Sequence, residues 1–253
     1  MTEKDIAGRI DGASIAEELK TALKDLVWKV ESLLPRLAVG QRHQLAFMLD
    51  RLVTEATDAT VDTHWWEVTL DLVTKAANGQ GETGQPVVEA VQKLHPLLRQ
   101  WLGPYEGVSL REIAAETVMG VCLLSETLTE PKRSYVAPNA MSLAQAHFIE
   151  HAWFRAIYAG RAPVGFVLIV DNYEDEKYFL VRFMIAEPYH GRGYGRQAME
   201  RLVEYVKTRP GAKELLVSCG QGEGSPEGFY EKLGFQHTGG KVGHEVVLRL
   251  ALE

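Results

Sequence analysis

The stretch Phe183-Met184-Ile185-Ala186-Glu187-Pro188-Tyr189-His190-Gly191-Arg192-Gly193-Tyr194-Gly195-Arg196 decides the reading of this chain. It takes over at the end of Lys177–Ile185, which reads as a strand, and leads into Gly195–Thr208, which has a helical pattern. A strand ends, a short turn follows, and glycines open a helix. Glycine allows the tight turn and lets a ligand approach the backbone with no Cβ in the way. The first amides of a helix have no partner within it, and the helix dipole favours an anion there. Gly191 to Arg196 therefore reads as a pyrophosphate cradle.

Two cradles are excluded by spacing. A dinucleotide fingerprint begun at Gly191 and Gly193 requires a third glycine three residues after Gly193, and Arg196 stands there. A nucleoside-triphosphate loop requires Gly-Lys followed by Ser or Thr, which the chain lacks.

Outward from the loop, the pattern after Val108 mixes strands and helices. Ser109–Ile113, Arg155–Tyr158, Val164–Val170, Glu214–Cys219 and Val242–Leu250 read as strands, with Phe235 starting another. Glu116–Leu128, Ser142–His147 and Gly228–Leu233 read as helices. Hairpins combined with crossover helices predict an α/β fold with a mixed sheet and flanking helices.

The part before Pro104 is different. Residues 13–34 form an amphipathic helix pattern, with Ser14 and Glu17 at capping-box spacing and a stripe through Ile15, Leu19, Leu23, Leu26, Val30 and Leu33. Further helices are expected over Gln41–Glu55, Asp62–Ala77 and beyond Pro86, the last bent or shortened by Pro96, with a Gly-rich loop at Asn78–Gln85. A small all-α domain over residues 1–104 thus precedes the mixed α/β domain over 105–253, the boundary being Gly103-Pro104-Tyr105-Glu106-Gly107. The stripe's near-heptad spacing wants a partner, either other helices of the chain or a second copy in a homodimer. Trp65 and Trp66 read as core, and His43, His64 and His95 lack metal-ligand spacing.

Composition narrows the partners. The formal net charge is −7, and both parts are mildly acidic, so nucleic acid is a poor partner. Cys122 and Cys219 make neither a disulfide framework nor a metal cluster, and no metal is expected. The polar start and the lack of any run of ~20 apolar residues argue against a leader or a membrane span, leaving the cytoplasm as the default location.

His190-Gly191-Arg192-Gly193-Tyr194-Gly195 resembles the coenzyme-A signature of the GNAT superfamily of N-acetyltransferases, Gln/Arg-x-x-Gly-x-Gly/Ala, with His190 in place of the usual Gln or Arg. Downstream, Tyr230-Glu231-Lys232-Leu233-Gly234-Phe235 is similar to the family's Tyr-x-x-Leu-Gly-Phe segment. Where the family often has Asn, seven residues before Tyr230, this chain has Glu223, with Ser225 as a substitute. Tyr135–Asn139 and Ser142–Ala146 resemble bacterial diamine and spermidine acetyltransferases, although a capped helix after an extended proline segment reads equally well. The resemblance spans about Ser109 to Leu252.

The resemblance implies a GNAT-type sheet, acetyl-CoA as cosubstrate and a small amine as acceptor. Phe183, Met184 and Ile185 would line the coenzyme on a bulged central strand, with an unpaired amide near Ile185 for the thioester carbonyl and the oxyanion. Gly191, Arg192, Gly193, Tyr194, Gly195 and Arg196 would hold the pyrophosphate. Tyr230 would protonate the leaving thiolate. No base stands out: Glu126, Glu130 and Glu150 are candidates, His147 and His151 weaker ones. A catalytically silent acetyl-CoA sensor is the reading from another class, and drug amines, amino acids and proteins are alternative acceptors.

Overall fold

The computed structural model describes residues 3–58, 60–61 and 63–252. The chain divides into two compact units, one through Tyr105 and one from Glu106 onward.

The first unit is all helical: α1 (Glu3–Gly12), α2 (Glu17–Leu33), α3 (Val39–Thr57), α4 (Trp66–Asn78) and α5 (Gln85–Leu102). On α2, Leu19, Leu23, Leu26, Val27, Val30 and Leu33 are buried. They share a core with Val87, Ala90, Leu94 and Leu98 of α5, against which α2 packs. The stripe's partner is therefore within the chain.

Three expectations are corrected. Ser14 caps nothing: α2 starts at Glu17 behind Ala16, because α1 runs to Gly12 and residues 13–15 form the turn between the two. Pro96 does not shorten α5, which runs on to Leu102. It and Gln92, whose carbonyl it leaves unbonded, lie on the exposed face, where water substitutes for the lost donor. The Asn78–Gln85 loop contains a 3-10 turn, Gly81–Gly84. Asp62, the expected start of the third helix, lies outside the described residues, and the helix itself begins at Trp66. Trp65 and Trp66 are buried, as core residues would be. Both oxygens of buried Glu55 accept the Trp65 backbone N–H at 2.8 Å, which fixes the start of α4 to α3.

The second unit is a seven-stranded mixed sheet with helices. In chain order it has β1 (Val108–Arg111), α6 (Ala115–Leu124), α7 (Asn139–Ala146), β2 (Ala152–Ala159), β3 (Ala162–Asn172) and β4 (Lys177–Ile185). Then come α8 (Tyr194–Lys207), β5 (Glu214–Cys219), α9 (Glu227–Glu231), β6 (Gln236–Val242) and β7 (Glu245–Ala251). The strand order is β1-β2-β3-β4-β5-β7-β6. Every neighbouring pair is antiparallel except β4 and β5. The segment expected as one strand, Val242–Leu250, is instead the turn and second arm of the β6–β7 hairpin, because Gly243 adopts φ +59° and reverses the chain. The helix expected to be capped by Ser142 starts at Asn139, behind Pro138, and Ser142 bonds back to the Pro138 carbonyl from inside it.

Ala198, Met199, Leu202 and Val206 of α8 are buried. The helix end is fixed by a polar clamp: buried Asp171 of β3 accepts from Tyr205 Oη at 2.6 Å and Arg209 Nε at 3.0 Å. Trp153 stacks on Tyr205 at 4.2 Å.

β4 is the strand that makes the site. Leu168 of β3 pairs with Arg182 and Ile169 with Leu180, so Val181 is the extra residue of a β-bulge. Side chains alternate along a strand, and one extra residue exchanges the faces beyond it. Before the bulge Tyr178 reaches the Pro210 carbonyl beyond α8. After it Phe183 and Ile185, rather than Met184, point to that same face. Met184 turns to the opposite face, against Asn139 of α7.

Candidate active site

β4 and β5 pair only at Phe179–Leu216 and Leu180–Val217. Beyond the bulge the strands diverge, and a cleft of about 620 Å³ opens between them. Its walls come from β4 (Leu180 to Ile185), the glycine loop and start of α8, the end of β5 (Val217 to Cys219), and α9. Lys132, Tyr135 and Val136, from the segment before α7, close one side.

The glycine loop has the geometry of an anion cradle. Gly191 and Gly193 have φ of +76° and +82°. Gly193 precedes α8 in the left-handed region, with no side-chain cap. The first intrahelical bond at this end is Gln197 N–H to Gly193 O, 3.2 Å, so the amides of Tyr194, Gly195 and Arg196 have no partner within the helix. At Gly195 a Cβ would sit 3.3 Å from the Phe229 ring, which stacks in turn on Phe183 at 5.8 Å.

The Ile185 amide is open to the cleft, but not because of the bulge, which lies four residues earlier. Ala186 N–H donates to Val164 O at 2.8 Å, toward β3. Alternation turns the amides of Ile185 and Phe183 the other way, where β5 has diverged. His190 Nε2 lies 2.6 Å from Ile185 O. A carbonyl only accepts, so Nε2 carries the proton. Lys132 Nζ is 3.1 Å from His190 Nδ1 and 2.6 Å from Glu187 Oε1. Burial works against the Glu187 carboxylate, but Lys132, the Thr129 amide and His190 together hold its pKa at about 2.

Tyr230 lies on the cleft wall, its ring buried against Phe229 and Phe235. Burial pushes its phenol above the usual tyrosine range, and the charges of Cys219 and Glu245 add to the rise. Burial also lifts the Cys219 thiol to about 11, helped by Glu227, Glu245 and Glu231, so Cys219 is a neutral wall residue at physiological pH. Among the described residues no metal-holding cluster is found.

Of the residues singled out in the sequence, Phe183, Met184, Ile185, Gly191, Gly193, Tyr194, Gly195, Arg196 and Tyr230 all line this cleft. Arg192 does not, and lies over the Tyr189 ring at 5.4 Å. Glu126, Glu130 and Glu150 are not in its walls either: Glu126 pairs with Arg133 at 3.3 Å, and Glu150 is exposed. Ser225 lines the cleft, but its hydroxyl is engaged with the Gly220 carbonyl and the Glu227 amide. Asn139 is buried, its amide nitrogen donating to Val121 O at 2.8 Å, so it ties α7 to α6. Sequence reasoning missed Lys132, Ser218 and Glu245, which reach the cleft from distant segments and sit in no recognisable spacing.

A bulged central strand, a splayed parallel pair and a glycine loop opening a helix define a coenzyme-A-type acyltransferase fold. Residues 122–235 match the model of the acetyltransferase (GNAT) family, and the chain carries a GNAT domain in its C-terminal part. No curated protein matches the chain. An acetyltransferase from Thermus thermophilus is similar in structure, with 20% identity, TM-score 0.45, and coverage of 58% of this chain and 97% of that one. A spermidine N-acetyltransferase chimera from Vibrio cholerae has 18% identity, TM-score 0.43, and coverage of 58% and 95%. The ribosomal-protein-S18-alanine N-acetyltransferase from Escherichia coli has 15% identity, TM-score 0.44, and coverage of 58% and 94%.

Proposed function

We propose that the second unit is an acetyl-CoA-dependent N-acetyltransferase whose acceptor is a small cationic amine such as a polyamine. The observation that carries this reading is the meeting, in one cleft, of open cradle amides, the outward-facing Ile185 amide and a buried Tyr230.

Acetyl-CoA, when bound, supplies the acetyl thioester. The amides from Gly193 to Arg196 hold its pyrophosphate, and Arg196 and Lys232 add positive charge at that end. The Ile185 amide donates to the thioester carbonyl and more strongly to the oxyanion it becomes, since a fixed dipole in a shielded cleft stabilises developing charge. The Tyr230 phenol, fully protonated at assay pH, donates to the departing sulfur.

The cationic acceptor is supported by the resemblance around Tyr135–Ala146 and by the acidic balance of the chain. Thiol release from acetyl-CoA with a panel of polyamines, aminoglycosides, amino acids and peptides tests the reading. Inert spermidine, spermine and diamines alongside reactive neutral or peptide acceptors would overturn the acceptor class. The helical unit is proposed to mediate self-association. Its α2 stripe is used internally, so the surface for this is the exposed Trp28, Phe47 and Trp101.

A further inference from the structure

We infer that Glu245, held in place by Ser218, receives the acceptor ammonium and takes its first proton, an assignment that rests on the acetyltransferase reading above. Glu245 opens β7, next to Val246, which pairs with Cys219 at the end of β5. This places it on the wall that also carries Tyr230. Among the described residues lining the cleft it is the only carboxylate. The Ser218 hydroxyl donates to its Oε2, which fixes the carboxylate and leaves Oε1 open to a ligand. Its charge reaches the reacting region, since it contributes to the rise of both the Tyr230 phenol and the Cys219 thiol.

The cleft is lined by the cations Lys132, Arg182, Arg196 and Lys232 and, among the described residues, by one carboxylate, Glu245. Arg196 and Lys232 lie by the glycine loop, where phosphates belong. Glu245 lies on the β5–β7 side, where an ammonium gains from a carboxylate and a phosphate would be repelled. A primary ammonium must lose a proton before its nitrogen can attack, and desolvation in a cleft makes that loss easier. Glu245 accepts that proton and passes it to solvent. The nitrogen then bonds to the carbonyl carbon as the carbon–sulfur bond breaks. Tyr230 gives its proton to sulfur and regains one from the newly acylated nitrogen. One ammonium and one thioester yield one amide, one thiol and one proton.

The test is Glu245→Gln in the full chain, with Glu126→Gln and Glu150→Gln as controls. Two readouts are taken: acetyl-CoA affinity by calorimetry, and kcat/KM for a primary polyamine from pH 6 to 10. Expected for Glu245→Gln is parental acetyl-CoA affinity with kcat/KM lowered roughly 10²–10⁴-fold near neutrality. The deficit should narrow as pH approaches the amine's own pKa, because free amine then needs no base. Both control variants should match the parent. Ser218→Ala should raise KM for the amine several-fold and leave acetyl-CoA binding unchanged. Parental kcat/KM in Glu245→Gln, or a deficit constant across pH, would overturn the assignment alone. An unmutated chain that binds acetyl-CoA and acetylates no amine would overturn the enzyme reading and this inference together.

Discussion

His190 Nε2 donates to the Ile185 carbonyl at 2.6 Å, so the residue entering the glycine loop is tied back to the strand end that the chain has just left. The bond holds the peptide next to the Ile185 amide and closes the turn over Glu187–Tyr189. Loss of one such bond typically costs about 0.5–1.5 kcal/mol. His190→Ala should therefore weaken acetyl-CoA binding by roughly 2- to 10-fold, and His190→Gln, which keeps an amide donor, by less. Calorimetry measures both, and equal affinity of His190→Ala and the parent would show that the tie does not shape the site.

Gly193 and Gly195 should fail for different reasons when substituted. At Gly193 the neighbourhood is open, the nearest atom to an added Cβ being Gln197 Nε2 at 3.8 Å, but φ is +82°. Gly193→Val forces a β-branched residue into the left-handed region, on the order of 1–3 kcal/mol of strain, beside the cradle amides. At Gly195 the backbone is helical and the obstacle is the Phe229 ring, which must shift away. Both variants should lose acetyl-CoA affinity several-fold, and only Gly195→Ala should disturb the aromatic environment of Phe183 and Phe229. Tight binding by Gly193→Val would remove the loop from the coenzyme site.

The turn at the glycine loop and the helix start behind it were legible because they are local, lying within a few residues of one another. The same holds for the helix end and Gly-Phe around Tyr230. What stayed hidden depends on tertiary pairing. The resemblance implies a bulged strand, but the bulge's position at Val181 shows only in register with β3, and the exchange of faces that puts Phe183 and Ile185 beside α8 follows from that register. Glu245 was invisible because Val242–Leu250 reads as one apolar strand, while the turn that brings Glu245 to the cleft is made by Gly243. Helix α1 was missed because its apolar residues, Ile6 and Ile10, are too few to mark a stripe.

Tyr230→Phe keeps the ring packing against Phe229 and Phe235 and removes the proton donor. The catalytic rate constant should fall roughly 10²–10⁴-fold with acetyl-CoA affinity unchanged. Burial raises the phenol above its ordinary value near 10, so the parent should show no alkaline loss of activity up to about pH 10. An unchanged single-turnover rate in Tyr230→Phe would sink the role.

Glu55 gives the helical unit a pH-dependent stability. Burial lifts its carboxyl from 4.5 to about 8, against the opposing effects of the Trp65 amide and Arg51. Between these two values the folded chain holds a proton that the unfolded chain has released, so stability falls as pH rises through that window. Below it both states are protonated, so the stability is at its full value and no longer changes with pH through this group. Thermal melting should drop by several degrees from pH 5 to 8.5, since each kcal/mol moves the midpoint of a domain this size by about 4–8 °C. Glu55→Gln should flatten that slope, and a slope identical to the parent's would assign the dependence elsewhere.

Cutting the chain at the Gly103–Gly107 segment should separate coenzyme binding from self-association. Every residue lining the cleft lies between Leu128 and Glu245, so residues 105–253 should bind acetyl-CoA with parental affinity. The first unit has its own core, in which Leu19, Leu23, Leu26, Val30 and Leu33 are used against α5. Pairing of two copies therefore falls to its surface, where Trp28 is 60% exposed on α2 and Trp101 40% exposed on α5. Burying such rings removes apolar area worth about 25 cal/mol per Å². Light scattering should find the full chain dimeric, the truncated chain monomeric, and Trp28→Ser in the full chain shifted toward monomer with its acetyl-CoA affinity intact. A full chain that is monomeric at micromolar concentration would rule out self-association as the work of the helices.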